Sequence, residues 1–242
     1  MEEKKYMIKT EALIRNFPIA GGKSITILKG IDIAIPKGKL TILKGRSGSG
    51  KTTLLNILSA LDNPTEGKVF FDNKEITAIS EGEKELLKRY HMGYIFQAVA
   101  LVPVMNVYEN VEFSLRLAGY EEGKSCKEAE KARKERVEEC LKRVGLLKRM
   151  YHMPDELSGG EQQRVAIARA LAHKPEVIFA DEPTGALDTD NGLLVVKLFK
   201  ELIEQEGITI VMTTHDPSLM ELGDVVFEIE DGEIIGRSDD CL

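Results

Sequence analysis

The sequence predicts an α/β protein with a parallel-sheet core, a β-rich N-terminal segment and a helical lobe inserted between the two halves of the core. Three observations predict it. Residues 40–58, LTILKGRSGSGKTTLLNIL, read as a short buried strand, a glycine-rich loop and the opening of a helix. Short apolar runs at 177–180 and 209–212, each followed by polar residues, read as further buried strands. Between these halves, from about residue 104 to 151, the texture changes to helical periodicity with dense charge.

Composition narrows the class. A chain of 242 residues can bury one core, or one core with a smaller lobe. Its 33 basic and 40 acidic residues give a net charge of −7, which speaks against non-specific nucleic-acid binding. No apolar run approaches the roughly 18 residues of a membrane-spanning helix, and the opening MEEKKYMIKT lacks a signal-peptide core, so a cytosolic chain is expected. Cys126, Cys140 and Cys241 have no metal-ligand spacing and read as reduced, incidental thiols.

Along the chain, Thr26 to Leu28 and Ile31 to Ile35 carry β-branched alternation, with turns at Gly21-Gly22 and Pro36-Lys37-Gly38. Phe17 is the aromatic here placed to stack on a base; a core or hairpin aromatic is the competing reading. Next comes the sequence Gly45-Arg46-Ser47-Gly48-Ser49-Gly50-Lys51-Thr52, a full match to G-x-x-x-x-G-K-[ST]. Such a loop can fold its N–H groups around phosphate oxygens, because no Cβ blocks the approach, and the helix terminus behind it adds partial positive charge. Lys51 would reach the β/γ-phosphates, the Thr52 hydroxyl would hold Mg²⁺, and Thr53 would bind near the α-phosphate or cap the helix.

Beyond this helix, Gly67 to Phe71 and Glu75-Ile76 flank a hairpin turn at Asp72-Asn73, and a charged helix is expected over Glu83 to Tyr90. Gly93 to Phe96 is a short strand ending in Gln97, whose amide could orient a water or complete a Mg²⁺ shell; a solvated loop residue is the alternative. Helices follow at Asn106 to Leu117 and Cys126 to Val144. The lobe ends in Leu157-Ser158-Gly159-Gly160-Glu161-Gln162, opening a helix from Glu161 to Ala172. Ser158 and the glycines read as a second anion-receptive helix terminus, or as an ordinary N-cap.

The strand Val177–Ala180 delivers Asp181 and Glu182 to its C-terminal end, where α/β sheets place ligands. Asp181 is placed to meet Mg²⁺ through water, and Glu182 points the other way and can polarise an attacking water. Asp188 is by default the N-cap of a helix running to Glu206. The strand Thr209–Met212 leads to His215, and Val225 to Ile229 with Glu233 to Ile235 form a closing hairpin; His91, His152 and His173 read as surface or capping residues.

These residues together resemble the ATPase subunit of ATP-binding-cassette (ABC) transporters. The matching elements, in the family's order, are GRSGSGKTT, Gln97, LSGGEQQRVAIARAL from Leu157, VIFADEP from Val177, ALD at 186–188, and His215. The segments YIFQAVALVPVMNVYENVEFSL and DEPTGALDTDNG look like the MacB/LolD-like exporter branch. The resemblance implies one nucleotide-binding domain over 1–242, with a RecA-like core (1–98 and 164–242) and a helical subdomain (99–163). It also implies a head-to-tail homodimer. Each ATP would lie between Lys51, Thr52, Gln97, Asp181 and Glu182 of one chain and the partner's Ser158 and Gly160. Thr52, Gln97 and Asp181 would hold Mg²⁺, Glu182 would be the general base, His215 would bond the γ-phosphate, and Asp188 would tie the two sites together. A membrane permease would dock near Gln97 and Pro103 to Glu112, with the chain peripheral on the inner face of the membrane. Two other classes compete. One is a cassette that regulates a membrane partner without moving a solute. The other is a nucleic-acid or ribosome-associated ABC ATPase, disfavoured by the single set of motifs, the absence of sustained heptads and the acidic charge.

Overall fold

The computed structural model describes residues 6–120, 125–185 and 187–239; Ala186 and Cys241, which figure in the expectations above, lie outside the described residues. The N-terminal third builds an antiparallel sheet. A long strand β1 (Tyr6–Ile19) turns through the Gly21-Gly22 corner into β2 (Lys23–Ile31) and pairs also with β3 (Ala34–Pro36). The expected strand over 31–35 is split at Asp32. Its carboxylate accepts the N–H of Ala12, where β1 takes a positive φ and its register shifts, so β2 ends and β3 starts afresh.

The central sheet starts with β4 (Leu40–Lys44), followed by the phosphate-loop helix α1 (Lys51–Leu58). Strands β5 (Glu66–Phe71) and β6 (Lys74–Glu75) return to the antiparallel sheet through the Asp72-Asn73 turn. Helix α2 (Glu81–His91) starts earlier than expected, because Ser80 and Glu83 form a capping box that puts Glu83 inside the first turn. Strand β7 (Met92–Ile95) then ends two residues before Gln97.

The lobe contains α3 (Val107–Leu117), α4 (Cys126–Arg143) and α5 (Gly159–Leu171). The expected 163/164 boundary falls inside α5. Its C-terminal carbonyls, Leu171 and Ala172, accept hydrogen bonds from the buried Arg136 of α4. The core resumes with β8 (Val177–Ala180), α6 (Thr189–Glu206), β9 (Thr209–Thr214), the short α7 (Pro217–Met220), β10 (Val225–Glu230) and β11 (Glu233–Asp239).

Strand order in the central sheet is β11-β10-β4-β9-β8-β7, parallel except for the β11 hairpin. Both faces are covered, which is why its strands read as apolar runs rather than alternations. Ile42, Ile178, Ala180, Ile210 and Met212 face the lobe and α6. Leu43, Val177, Phe179 and Val211 face α1 and the antiparallel sheet. The parallel register brings the C-terminal ends of β4, β7, β8 and β9 together at one edge, and the phosphate loop, Gln97, Asp181, Glu182 and His215 each follow one of those ends, whereas Phe17 comes from β1 of the antiparallel sheet. No helix among the described residues is long and apolar enough to cross a membrane.

Candidate nucleotide site

The loop between β4 and α1 is shaped by close approach. A Cβ on Gly45 would lie 2.3 Å from the Ile229 carbonyl oxygen and 2.7 Å from Ser49 Oγ. Gly50 is the N-cap of α1 at φ +105°, a conformation that L side chains rarely adopt. Lys51, 5% exposed, folds back so that its Nζ donates to the carbonyls of Gly45 and Arg46, both at 2.9 Å. Ser49 Oγ is buried with no hydrogen-bond partner among the described residues, and Ser47 and Gly48 lie exposed at the tip. Among the described α-helices α1 alone has no side-chain cap, and its first turn carries no acidic residue. Thr53 is therefore not a cap; it lines the cleft over the loop.

That cleft has a volume of about 490 Å³. One wall is the loop and the start of α1, and the opposite end holds Gln97 and Glu182. Phe17 and Ile25, cross-strand neighbours on β1 and β2, form the apolar wall. Phe17 is thus a hairpin aromatic that is not in the core and whose ring lines the cleft, with the Arg15 guanidinium 4.4 Å from its ring centroid.

The two carboxylates diverge as expected. Asp181 is 5% exposed and its Oδ1 accepts from the Thr52 hydroxyl at 3.0 Å and the Thr213 hydroxyl at 2.8 Å. Glu182 faces the cleft. Its Oε2 accepts from Gln97 Nε2 at 3.0 Å, and its Oε1 lies 3.5 Å from Nδ1 of the exposed His215. Gln97 thus meets Glu182 through its amide nitrogen, which leaves its carbonyl oxygen as the atom that could hold a cation. Behind the cleft, burial, and after it the Asp181 charge, push the Tyr94 phenol far above its ordinary pKa. It stays a neutral donor, bonded to Asn56 of α1 at 2.7 Å.

Ser158, Gly160 and Asp188 form a second group, and none of them lines the cleft. Ser158 caps α5 in a reciprocal box: its Oγ accepts from the Glu161 N–H at 3.3 Å and donates to Glu161 Oε2 at 3.0 Å. The Ser158 backbone N–H, and after it this hydroxyl, hold the Glu161 carboxyl below its usual range. An open anion site was one expectation for this end, and the ordinary N-cap is what the chain by itself builds. Asp188 caps α6, as expected, by accepting from the N–H and side-chain amide of Asn191, which holds its carboxyl below the usual range. The Asn191 amide sits so close to Gly160 that a Cβ there would lie 3.3 Å from its oxygen. Two glycine- and acid-bearing helix starts are thereby packed side by side.

Sequence reasoning missed Thr213 and Asn110. Thr213 is placed by the β8–β9 register, in which Ala180 pairs with Met212 and the next residues are Asp181 and Thr213, and no local sequence signal marks it. The fully buried Asn110 holds residues 102–106 through Val102, Met105 and Asn106, and no local pattern marks it. The described cysteines are free thiols: Cys126 is exposed, and burial pushes the Cys140 thiol up to about 11.

A glycine loop clasping its own lysine, a buried carboxylate on the loop threonine and a second carboxylate facing the cleft define a phosphate-loop nucleotide hydrolase. The chain belongs to the ABC transporter family, whose pattern it matches over residues 28–185, and it is an ABC-type ATPase. It is 46% identical over 225 residues to the macrolide export ATP-binding/permease protein MacB of Bartonella henselae, covering 93% of this chain and 33% of that protein. The chain thus spans about a third of the length of that relative. It is 41% identical to the ABC transporter ATP-binding protein YtrE of Bacillus subtilis, with 88% of each covered. Among solved structures it resembles the dimeric cassette MJ0796 of Methanocaldococcus jannaschii. The TM-score is 0.87 at 39% identity, covering 96% of this chain and 98% of that one. A second structure of that cassette is a dimeric post-hydrolysis state bound to ADP and Pi.

Proposed function

We propose that this chain is the motor of a membrane transporter: two copies close head to tail over two MgATP molecules, and hydrolysis reopens them to drive a permease. The observation that carries the reading is the division of the site, with Lys51, Thr52, Gln97, Asp181, Glu182 and His215 around one cleft and Ser158, Gly160 and Asp188 outside it. A second copy would supply the missing part. Dimeric MJ0796 structures, one with ADP and Pi, support this arrangement.

Gly45, Arg46, Ser47, Gly48, Ser49 and Gly50 would wrap the phosphates, giving the orphaned Ser49 hydroxyl a partner, and Phe17 would stack on the base. Lys51 would exchange its two loop carbonyls for phosphate oxygens. The residues fit Mg²⁺: a carboxylate and a hydroxyl 3.0 Å apart, at a site to which phosphates bring further oxygens, are the hard donors it prefers. When bound, Mg²⁺ neutralises charge developing on the phosphates. Glu182 would take the proton of the attacking water, steadied by Gln97, and His215 would bond the γ-phosphate.

The permease would dock beside Gln97. Phe96 is exposed there, Val104 is 81% exposed, and Asn110 fixes the backbone that presents Val104. The ATP-binding/permease relatives and the exporter-like wording around Gln97 favour export over import, with the chain peripheral on the inner membrane face.

The test is Glu182→Gln. It should lower turnover by about 100- to 10,000-fold, the usual weight of a positioned base, while size-exclusion chromatography in MgATP shows a stable dimer. A monomer with near-normal turnover would remove Glu182 from its role and the closed dimer with it.

A further inference from the structure

We propose that Thr213 is a positioning residue for hydrolysis, a single hydroxyl that fixes the metal-side carboxylate relative to the water-side one. The inference rests on the roles given above to Asp181 and Glu182. Thr213 is fully buried at the end of β9. Its Oγ1 donates to Asp181 Oδ1 at 2.8 Å and accepts from the Glu182 backbone N–H at 2.8 Å. One oxygen therefore grips the side chain of one residue and the main chain of the next. That uses both bonding capacities of a hydroxyl in opposite senses.

The grip matters for two reasons. Thr52 is the other donor on Asp181 Oδ1, and its hydroxyl would turn to the cation when nucleotide binds. Thr213 is then the side-chain donor that stays. Glu182 is held at φ +42°, a conformation that a non-glycine residue keeps only when its surroundings determine it. Its N–H is bound by Thr213 and its carbonyl accepts from Gly185 N at 3.0 Å, so the hydroxyl is one of two clamps on that turn. Loss of the clamp would let both carboxylates drift, and drift of a reacting group by about 1 Å can cost on the order of 100-fold in rate.

Thr213→Val keeps the branched shape and removes the hydroxyl; Thr213→Ser keeps the hydroxyl and removes the methyl. We expect Thr213→Val to lower kcat by about 10- to 100-fold, as losing an outer partner of a ligating carboxylate does. The KM for ATP should change by less than about two-fold, the signature of an interaction needed in the transition state. Mn²⁺ affinity, read by electron paramagnetic resonance with a non-hydrolysable ATP analogue, should weaken several-fold. Thr213→Ser should restore both readouts. A role in packing alone predicts the reverse order, with valine like wild type and serine worse, and that order overturns the proposal. Thermal melts accompany each variant, and if the valine variant does not fold, Thr213→Ala must lose activity where serine keeps it. Glu182→Gln is the reference. If it retains turnover, the site reading falls and takes this inference with it. If it is inactive while Thr213→Val is normal, only this inference falls.

Discussion

The glycine-marked starts of α1 and α5 are built in opposite ways. Helix α1 begins at Gly50 with no side-chain cap and no acid in its first turn, beneath a cleft. Its first N–H groups and partial positive charge are left for an anion. Helix α5 begins at the exposed Ser158, whose hydroxyl and N–H are both engaged by Glu161 of its own first turn. A carboxylate there satisfies the terminus that a phosphate would otherwise attract. On the proposed reading the first end is a receptor on its own. In the proposed dimer the second becomes a contact only when the Ser158 hydroxyl is drawn from Glu161 to a phosphate presented by another copy. On that reading binding belongs to the first end and closure needs both, so the second end should be removable without loss of binding.

The largest separation should come from Lys51→Ala. Two charge-assisted contacts, together about 3 kcal/mol, correspond to roughly 100-fold in affinity. Titration with a fluorescent ATP analogue should show at least that loss, with hydrolysis lost in parallel. Unchanged binding would refute the assignment of the loop.

Ser158→Arg is the converse, and its effect is smaller on binding and large on turnover. ATP affinity of the separated chain should stay within about two-fold, since Ser158 lies outside the cleft, while turnover falls by at least about 10-fold because an interaction made only on closure is gone. Normal hydrolysis by this variant would mean that α5 does not complete the site of another copy.

The two ends also differ in how far they were legible in advance. Everything in the phosphate loop is local: the glycines, Lys51 and Thr52 lie within eight consecutive residues, and the strand and helix around them are read from the same stretch. Asp181, Glu182 and His215 were placed by the rule that ligands gather at the C-terminal ends of parallel strands. What was not legible depends on partners distant in sequence. Thr213 matters because β9 lies beside β8, and Phe17 reaches the cleft because β1 and β2 carry it there. The cap of α5 was legible as one of two options. The choice fell to Glu161, three residues on, whose carboxylate reaches back to the helix start. Strand limits were the weakest reading, as at Asp32, where a contact 20 residues away ends a strand that its own residues would continue.

The smallest effects test the cap itself. Ser158→Ala should cost about 1 kcal/mol of stability, the usual value of a lost serine cap, and lower Tm by about 2–4 °C for a domain of this size, with ATP affinity unaltered. Glu161→Gln keeps the reach of the side chain and removes its charge. Because the folded state holds the Glu161 carboxyl below its usual range, its stabilisation is complete above that range and fades as the pH falls through the lowered folded value. The Tm gap between wild type and Glu161→Gln should therefore be widest at neutral pH and narrow on acidification. Helix α1 has no such carboxylate, so no comparable acid-sensitive step should arise from its terminus. Melts of the two proteins from pH 7 down to the carboxylate range check this directly. A gap that widens with acid would mean that Glu161 is repelled by its surroundings rather than held by Ser158, and the contrast between the two helix ends would lose its electrostatic basis.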